Sequence, residues 1–77
     1  MTNPQTQTTQ QLLSARAVAR LLSLSRRTVH RLNASGKLPA PVRIGGAVRW
    51  SAQEISDWLV AGAPDRKQWE AMRRVGS

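Results

Sequence analysis

The chain has 77 residues, 40% of them hydrophobic, and a formal net charge of +8. A chain of this length supports one small core and buries only about 60% of its unfolded surface. With no cysteine and a single histidine, it can form neither a disulfide nor a zinc site of the usual composition.

Residues 1–10, MTNPQTQTTQ, offer nothing to bury and read as a disordered polar tail. They also lack the basic-then-apolar order of a signal peptide. No later apolar run reaches the roughly 20 residues of a membrane span. The expectation is a cytoplasmic protein with no membrane partner.

From residue 13 onward one local pattern occurs three times, as LSARAV (13–18), LSRRTV (24–29) and WSAQEI (50–55). Serine is a favoured N-cap because its hydroxyl accepts a hydrogen bond from an otherwise unpaired amide of the first turn. The flanking apolar residues have the N′–N4 spacing of a hydrophobic staple, and Glu54 three residues after Ser51 completes a capping box. Helices are therefore predicted to start near residues 15, 26 and 52.

In the first helix, Ala15, Val18, Ala19 and Leu22 form one apolar face. Only Ser23 and Leu24 separate it from the next cap, a connection so short that the two helices must make a helix-turn-helix. The second helix keeps Val29 and Leu32 for the core and stops near Ser35, with Gly36 as its C′ residue. Pro39 and Pro41 exclude further helix. VRIGGAVRW (42–50) then reads as a hairpin. If burial fixes its register, a three-residue loop, Gly45-Gly46-Ala47, is expected. That loop would put Val42, Ile44, Val48 and Trp50 on one face and set Arg43 opposite Arg49 on the other. The third helix should bury Ile55, Trp58 and Leu59 and stop at Gly62. DRKQWEAMRR predicts a short C-terminal helix with Trp69 and Met72 on one face. The expected fold is mainly α with a small β-hairpin, a winged helix-turn-helix. Its parts are a tail (1–10), the winged domain (11–62) and a C-terminal extension (63–77).

The charge is unevenly placed. Residues 1–53 hold eight cations and no acid, whereas residues 54–77 hold four of each. A basic excess confined to one segment is the footprint of a polyanion-binding surface. Arg26 and Arg27 would occupy the first turn of the second helix, where the dipole disfavours cations. Arg27 and Arg31, one turn apart, repel each other. A like-charge pair of Arg43 and Arg49 across the hairpin would also be unfavourable. One ligand relieves all of this. A DNA duplex offers phosphates to the wing and a major groove wide enough for the helix, and arginine makes bidentate contacts to phosphate or to guanine.

The candidate DNA-binding residues on the second helix are Ser25, Arg26, Arg27, Thr28, His30 and Arg31. Those of the wing are Arg43, Gly45, Gly46 and Arg49. Arg16, Arg20 and Lys37 are further candidates for the DNA backbone. An alternative for Arg49 is a structural ion pair with Asp57 or Glu54. Trp50 and Trp58 sit at staple and core-face positions and Trp69 lies outside the basic segment, so all three read as core; with no aromatics interleaved among the basic residues, stacking on single strands is not expected. No catalytic set, phosphate loop or metal cluster is visible, so neither an enzyme nor a cofactor is expected.

"LLSARAVARLLSLSRRTVHRLNASGKLPAPVRIGGAVRWSAQEISDWL" (12–59) resembles the small AlpA-like and excisionase-like proteins, a branch of the MerR-type winged helix-turn-helix superfamily. The resemblance implies a second helix in the major groove and a wing on the flanking minor groove or backbone. Because the tip Gly45-Gly46-Ala47 carries no cation, Arg43 and Arg49 are expected on phosphate. The resemblance also implies one of two roles, a transcriptional regulator or a recombination directionality factor of phage or mobile-element type, acting beside an integrase. A domain this small reads few base pairs, so self-association or cooperative tandem binding is expected to use the surface around Trp69 and Met72, the alternative being that these residues pack back onto the chain's own core. The competing expectation is a protein-interaction adaptor for an integrase or polymerase with only weak, non-specific DNA binding.

Overall fold

The computed structural model describes residues 11–76, with side chains to residue 74; the predicted tail at 1–10 lies outside the described residues. The chain runs β1 (Leu12–Leu13), α1 (Ala15–Leu22), α2 (Arg26–Ala34), β2 (Val42–Ile44), β3 (Ala47–Ser51), α3 (Ala52–Val60) and α4 (Arg66–Gly76). The three serine caps are all formed. Ser14 accepts from the Ala17 amide, Ser25 from Thr28 and Ser51 from Glu54, each at 3.1 Å. The capping box at Ser51 is only half made, because the Glu54 carboxylate turns to α4 instead. Its Oε2 accepts from Trp69 Nε1 at 2.9 Å and from Arg73 at 2.6 Å.

The tight turn between α1 and α2 is closed by Ser23 in the left-handed conformation, φ 59°. The Leu24 amide reaches Ala19 O at 2.8 Å and the Ser23 amide reaches Arg20 O, the paired bonds that close a helix C-terminus. Leu32 O and Asn33 O likewise accept from Lys37 and Gly36 at the end of α2.

The sheet has three antiparallel strands in the order β1-β3-β2. Strand β1 has no sequence signature, since two residues are too few to show a period; it pairs Leu12 with Ser51 and Leu13 with Trp50. The wing corrects the predicted register. Val42 faces Arg49, Arg43 faces Val48 and Ile44 faces Ala47, leaving a two-residue loop, Gly45-Gly46, with φ 55° and 99°. Two consecutive positive φ values suit the hairpin turn that matches the natural strand twist. Burial could not fix the register because β2 is exposed along its whole length, with Val42 at 46% and Ile44 at 53%. Arg43 and Arg49 therefore lie on opposite faces, and the expected like-charge pair does not form.

The core consists of Val18, Ala19, Val29, Leu38, Trp50, Ile55, Trp58 and Trp69, with Leu13, Ala15, Leu22, Leu32 and Val48 packed against it. All three tryptophans are buried, and each indole N–H is satisfied, as a buried Trp requires. Trp50 donates to Pro39 O at 3.0 Å, Trp58 to Pro64 O at 2.7 Å and Trp69 to Glu54. Leu59 does not join them; it is 42% exposed. Ile55 and Trp58, three residues apart, already take the inward stripe of α3, and Leu59 lies at its edge. Trp69 brings α4 into the same core, while Met72 stays 40% exposed.

Candidate nucleic-acid interface

The first turns of α1 and α2 converge with β3 on one open groove of about 740 Å³. Its lining is Ser14, Ala15 and Arg16 from α1 and its cap, Arg26, Arg27 and His30 from α2, and Val48 and Arg49 from β3. Two helix N-termini thus open on the same space, and neither has an acid in its first turn. Ser14 and Ser25 each cap one amide, so the leading amides of both helices keep no intrahelical partner. Four arginines and two positive dipole ends in one concavity make a strong attractor for anions.

The side chains are open to solvent. Arg16, Arg26, Arg27, His30 and Arg31 are exposed and Arg49 is half-buried. Among the described residues none of these is paired with a carboxylate; the ion pair found is Arg73–Glu54 at 2.6 Å. The alternative for Arg49, capture by Asp57 or Glu54, is not realised. Its Nη1 donates to Val48 O at 2.8 Å, Asp57 accepts from Gln53, and Glu54 serves α4. Arg49 is thereby held over the groove by its own strand.

The remaining sequence candidates are spread around this groove. Arg31 lies one turn beyond Arg27 on α2, on the same exposed side. Ser25 and Thr28 are engaged with each other, Oγ to Oγ1 at 2.9 Å, besides the cap itself. Gly45 and Gly46 form the exposed wing tip, and Arg43 is exposed on the edge strand. Arg20 lies elsewhere, beside Leu13, Ala17 and Leu21. Lys37 lies past the far end of α2, by Asp65, Arg66, Lys67 and Glu70. Neither shares the groove.

Sequence reasoning missed one side chain tied to α2. Arg66 donates from Nε to Leu38 O at 2.9 Å, and from Nη2 to Asn33 O at 3.2 Å and Asn33 Oδ1 at 2.7 Å. A separation of 33 residues leaves no periodic or local signal by which it could have been found.

A tight helix pair, a hairpin wing and a third helix on one core, with cations gathered where the second helix begins, define a winged helix-turn-helix of the nucleic-acid-binding class. A family described as a helix-turn-helix domain matches residues 12–61, and the chain belongs to that family. No curated protein and no solved structure matches it. No helix among the described residues is long and apolar enough to cross a membrane, and no group of three or more His, Asp or Glu that could hold a metal occurs among them.

Proposed function

We propose that the chain binds double-stranded DNA with sequence preference, α2 entering the major groove and the wing lying on the flanking backbone. The observation that carries this reading is the groove between α1, α2 and β3, lined by four arginines without acidic partners among the described residues. A duplex backbone running through it would meet Arg16, Arg26 and Arg49 and the open amides of two helix N-termini, which bind phosphate well. With the backbone so placed, Arg27, His30 and Arg31 extend along α2 toward base edges, where a bidentate arginine–guanine contact discriminates by about 1–3 kcal/mol. Arg43, on the other face of the wing, is a further phosphate contact. Ser25 and Thr28 keep one another in place and add hydroxyls at the phosphate. Gly45 and Gly46 let the wing tip approach the backbone closely. Arg20 and Lys37, lying away from the groove, are peripheral backbone contacts at most.

The biological role that fits a short reader of this kind is a regulator of the AlpA type or a recombination directionality factor. Both need a second contact, in tandem copies or with an integrase, because one such domain spans few base pairs. A partner protein would not be gripped through Trp69, which is 6% exposed and packed on its own core. Met72, 40% exposed, stays accessible on the same helix.

The test is a comparison of four variants on a selected duplex and on an unrelated one. Arg16→Ala and Arg43→Ala should weaken both and lower the salt slope by about 0.9 each. Arg27→Ala and Arg31→Ala should cost about 1–3 kcal/mol on the selected duplex alone. Equal losses from all four on both duplexes would rule out base readout.

A further inference from the structure

We propose that Arg66 is a positioning residue that sets the angle at which α2 is presented to DNA; this rests on the reading of α2 as the helix that reads bases. Helix α2 is weakly held by packing. Of its nine residues only Val29 is fully buried, with Leu32 half-buried beside it. A nine-residue helix is about 13 Å long. A tilt of about 10° about one end would therefore move the other by roughly 2 Å, outside the tolerance of a directed hydrogen bond.

The fork of Arg66 removes that freedom. Its three hydrogen bonds span the last turn of α2 and the segment leading to the wing, joining Asn33 O, Asn33 Oδ1 and Leu38 O. Its own amide donates to Gly36 O at 2.9 Å. The cation also sits at the negative end of the α2 dipole, where it is favoured. Arg66 is in turn fixed from behind. Trp69, one turn on, is buried and bonded to Glu54, and Pro64, two residues before, is held by Trp58. The C-terminal helix thus clamps the trailing end of α2 while the leading end faces the groove. Asn33, on α2 itself, is used by the clamp and withdrawn from base contact.

Phosphate contacts made by long, flexible arginines tolerate a change of tilt, whereas paired hydrogen bonds to a base edge do not. Loosening the clamp should therefore lower specific affinity and leave non-specific affinity unchanged. Arg66→Lys is the suitable variant: it keeps the charge but replaces a planar fork with a point donor. Two readouts are taken well below its melting temperature. One is affinity for a duplex selected by the wild-type protein and for a scrambled duplex of equal length. The other is amide hydrogen exchange of the free protein. The expected result is about a tenfold loss on the selected duplex, less than twofold on the scrambled one, and faster exchange confined to the last turn of α2. Equal losses on both duplexes would make Arg66 a DNA contact and overturn the proposal, as would an unchanged preference. If the wild-type protein prefers no duplex, the reading of α2 as a base reader fails by itself. Exchange then decides the clamp: faster exchange supports it and unchanged exchange overturns it. Should Arg66→Lys fail to fold, Asn33→Ala deletes only the 2.7 Å contact and should give the same pattern at about threefold.

Discussion

Arg27 occupies the second position of α2 with no acid in that turn, and Arg31 stands one turn further along. The dipole term at this position is about 0.3–1 kcal/mol unfavourable at low salt, and the Arg27–Arg31 repulsion adds about 0.2–0.5 kcal/mol. Glutamine keeps most of the stem and the helix propensity while removing the charge. Arg27→Gln should therefore stabilise the free protein by about 0.5–1.5 kcal/mol. At about 4–8 °C per kcal/mol for a domain of this size, the melting temperature should rise by roughly 2–12 °C. The gain should shrink as salt rises, because these charges are exposed and screened. DNA affinity should move the other way, by about 1–3 kcal/mol on a preferred site. Thermal unfolding at low and high salt, with binding measured on the same samples, gives both signs. If Arg27→Gln were neutral or destabilising at low salt, the arginine would be serving the fold, and its placement would say nothing about a ligand.

Other consequences follow from single contacts. Ser23 carries a left-handed φ of 59°, which costs a non-glycine residue roughly 1–2 kcal/mol; glycine loses about 0.5–1 kcal/mol of that advantage to unfolded-state entropy. Ser23→Gly should thus add about 0.5–1 kcal/mol of stability in denaturant melts, and a loss would mean the turn needs the serine side chain. Glu54→Ala strands the buried Trp69 indole and should cost about 1–3 kcal/mol. Arg73→Ala removes a partner whose side chain is 55% exposed and should cost under about 1 kcal/mol; equal costs for the two variants would show that the ion pair, not the indole bond, holds α4. In the wing, Gly45→Asn should preserve the register and Gly46→Ala, at φ 99°, should destabilise it. Cross-strand NMR contacts between Arg43 and Val48 report the register, and contacts between Arg43 and Arg49 would restore the longer loop.

The helices were legible because their signals are local. A serine cap with apolar residues on either side needs only six positions, and the starts at Ala15, Arg26 and Ala52 follow from it. The hairpin register is not legible from the parity of Val42 and Ile44, because that parity does not report burial. Those side chains face solvent, and the conformational freedom of two glycines decides the loop. Leu38, fully buried between α2 and the wing, sits among turn residues where no periodicity marks it. The candidate site was legible as a list and not as a place. Charge alone could not separate Arg16, which joins Arg26, Arg27 and Arg49 around one groove, from Arg20 or Lys37, which do not. That distinction depends on how α1 crosses α2, set by Val18, Ala19 and Val29 in the core. The Arg66 clamp depends on the return of α4, which a local pattern does not encode.

On the proposed reading, α2 reads base pairs while the groove beside it holds the backbone. Selection of duplexes from a random library by the purified chain, at about 150 mM salt to suppress non-specific phosphate binding, tests it most directly. The wild-type protein should yield a short enriched motif, which Arg31→Ala degrades at one or two positions and Arg16→Ala leaves intact. Recovery of unenriched sequence, with affinity that simply tracks salt, would contradict it.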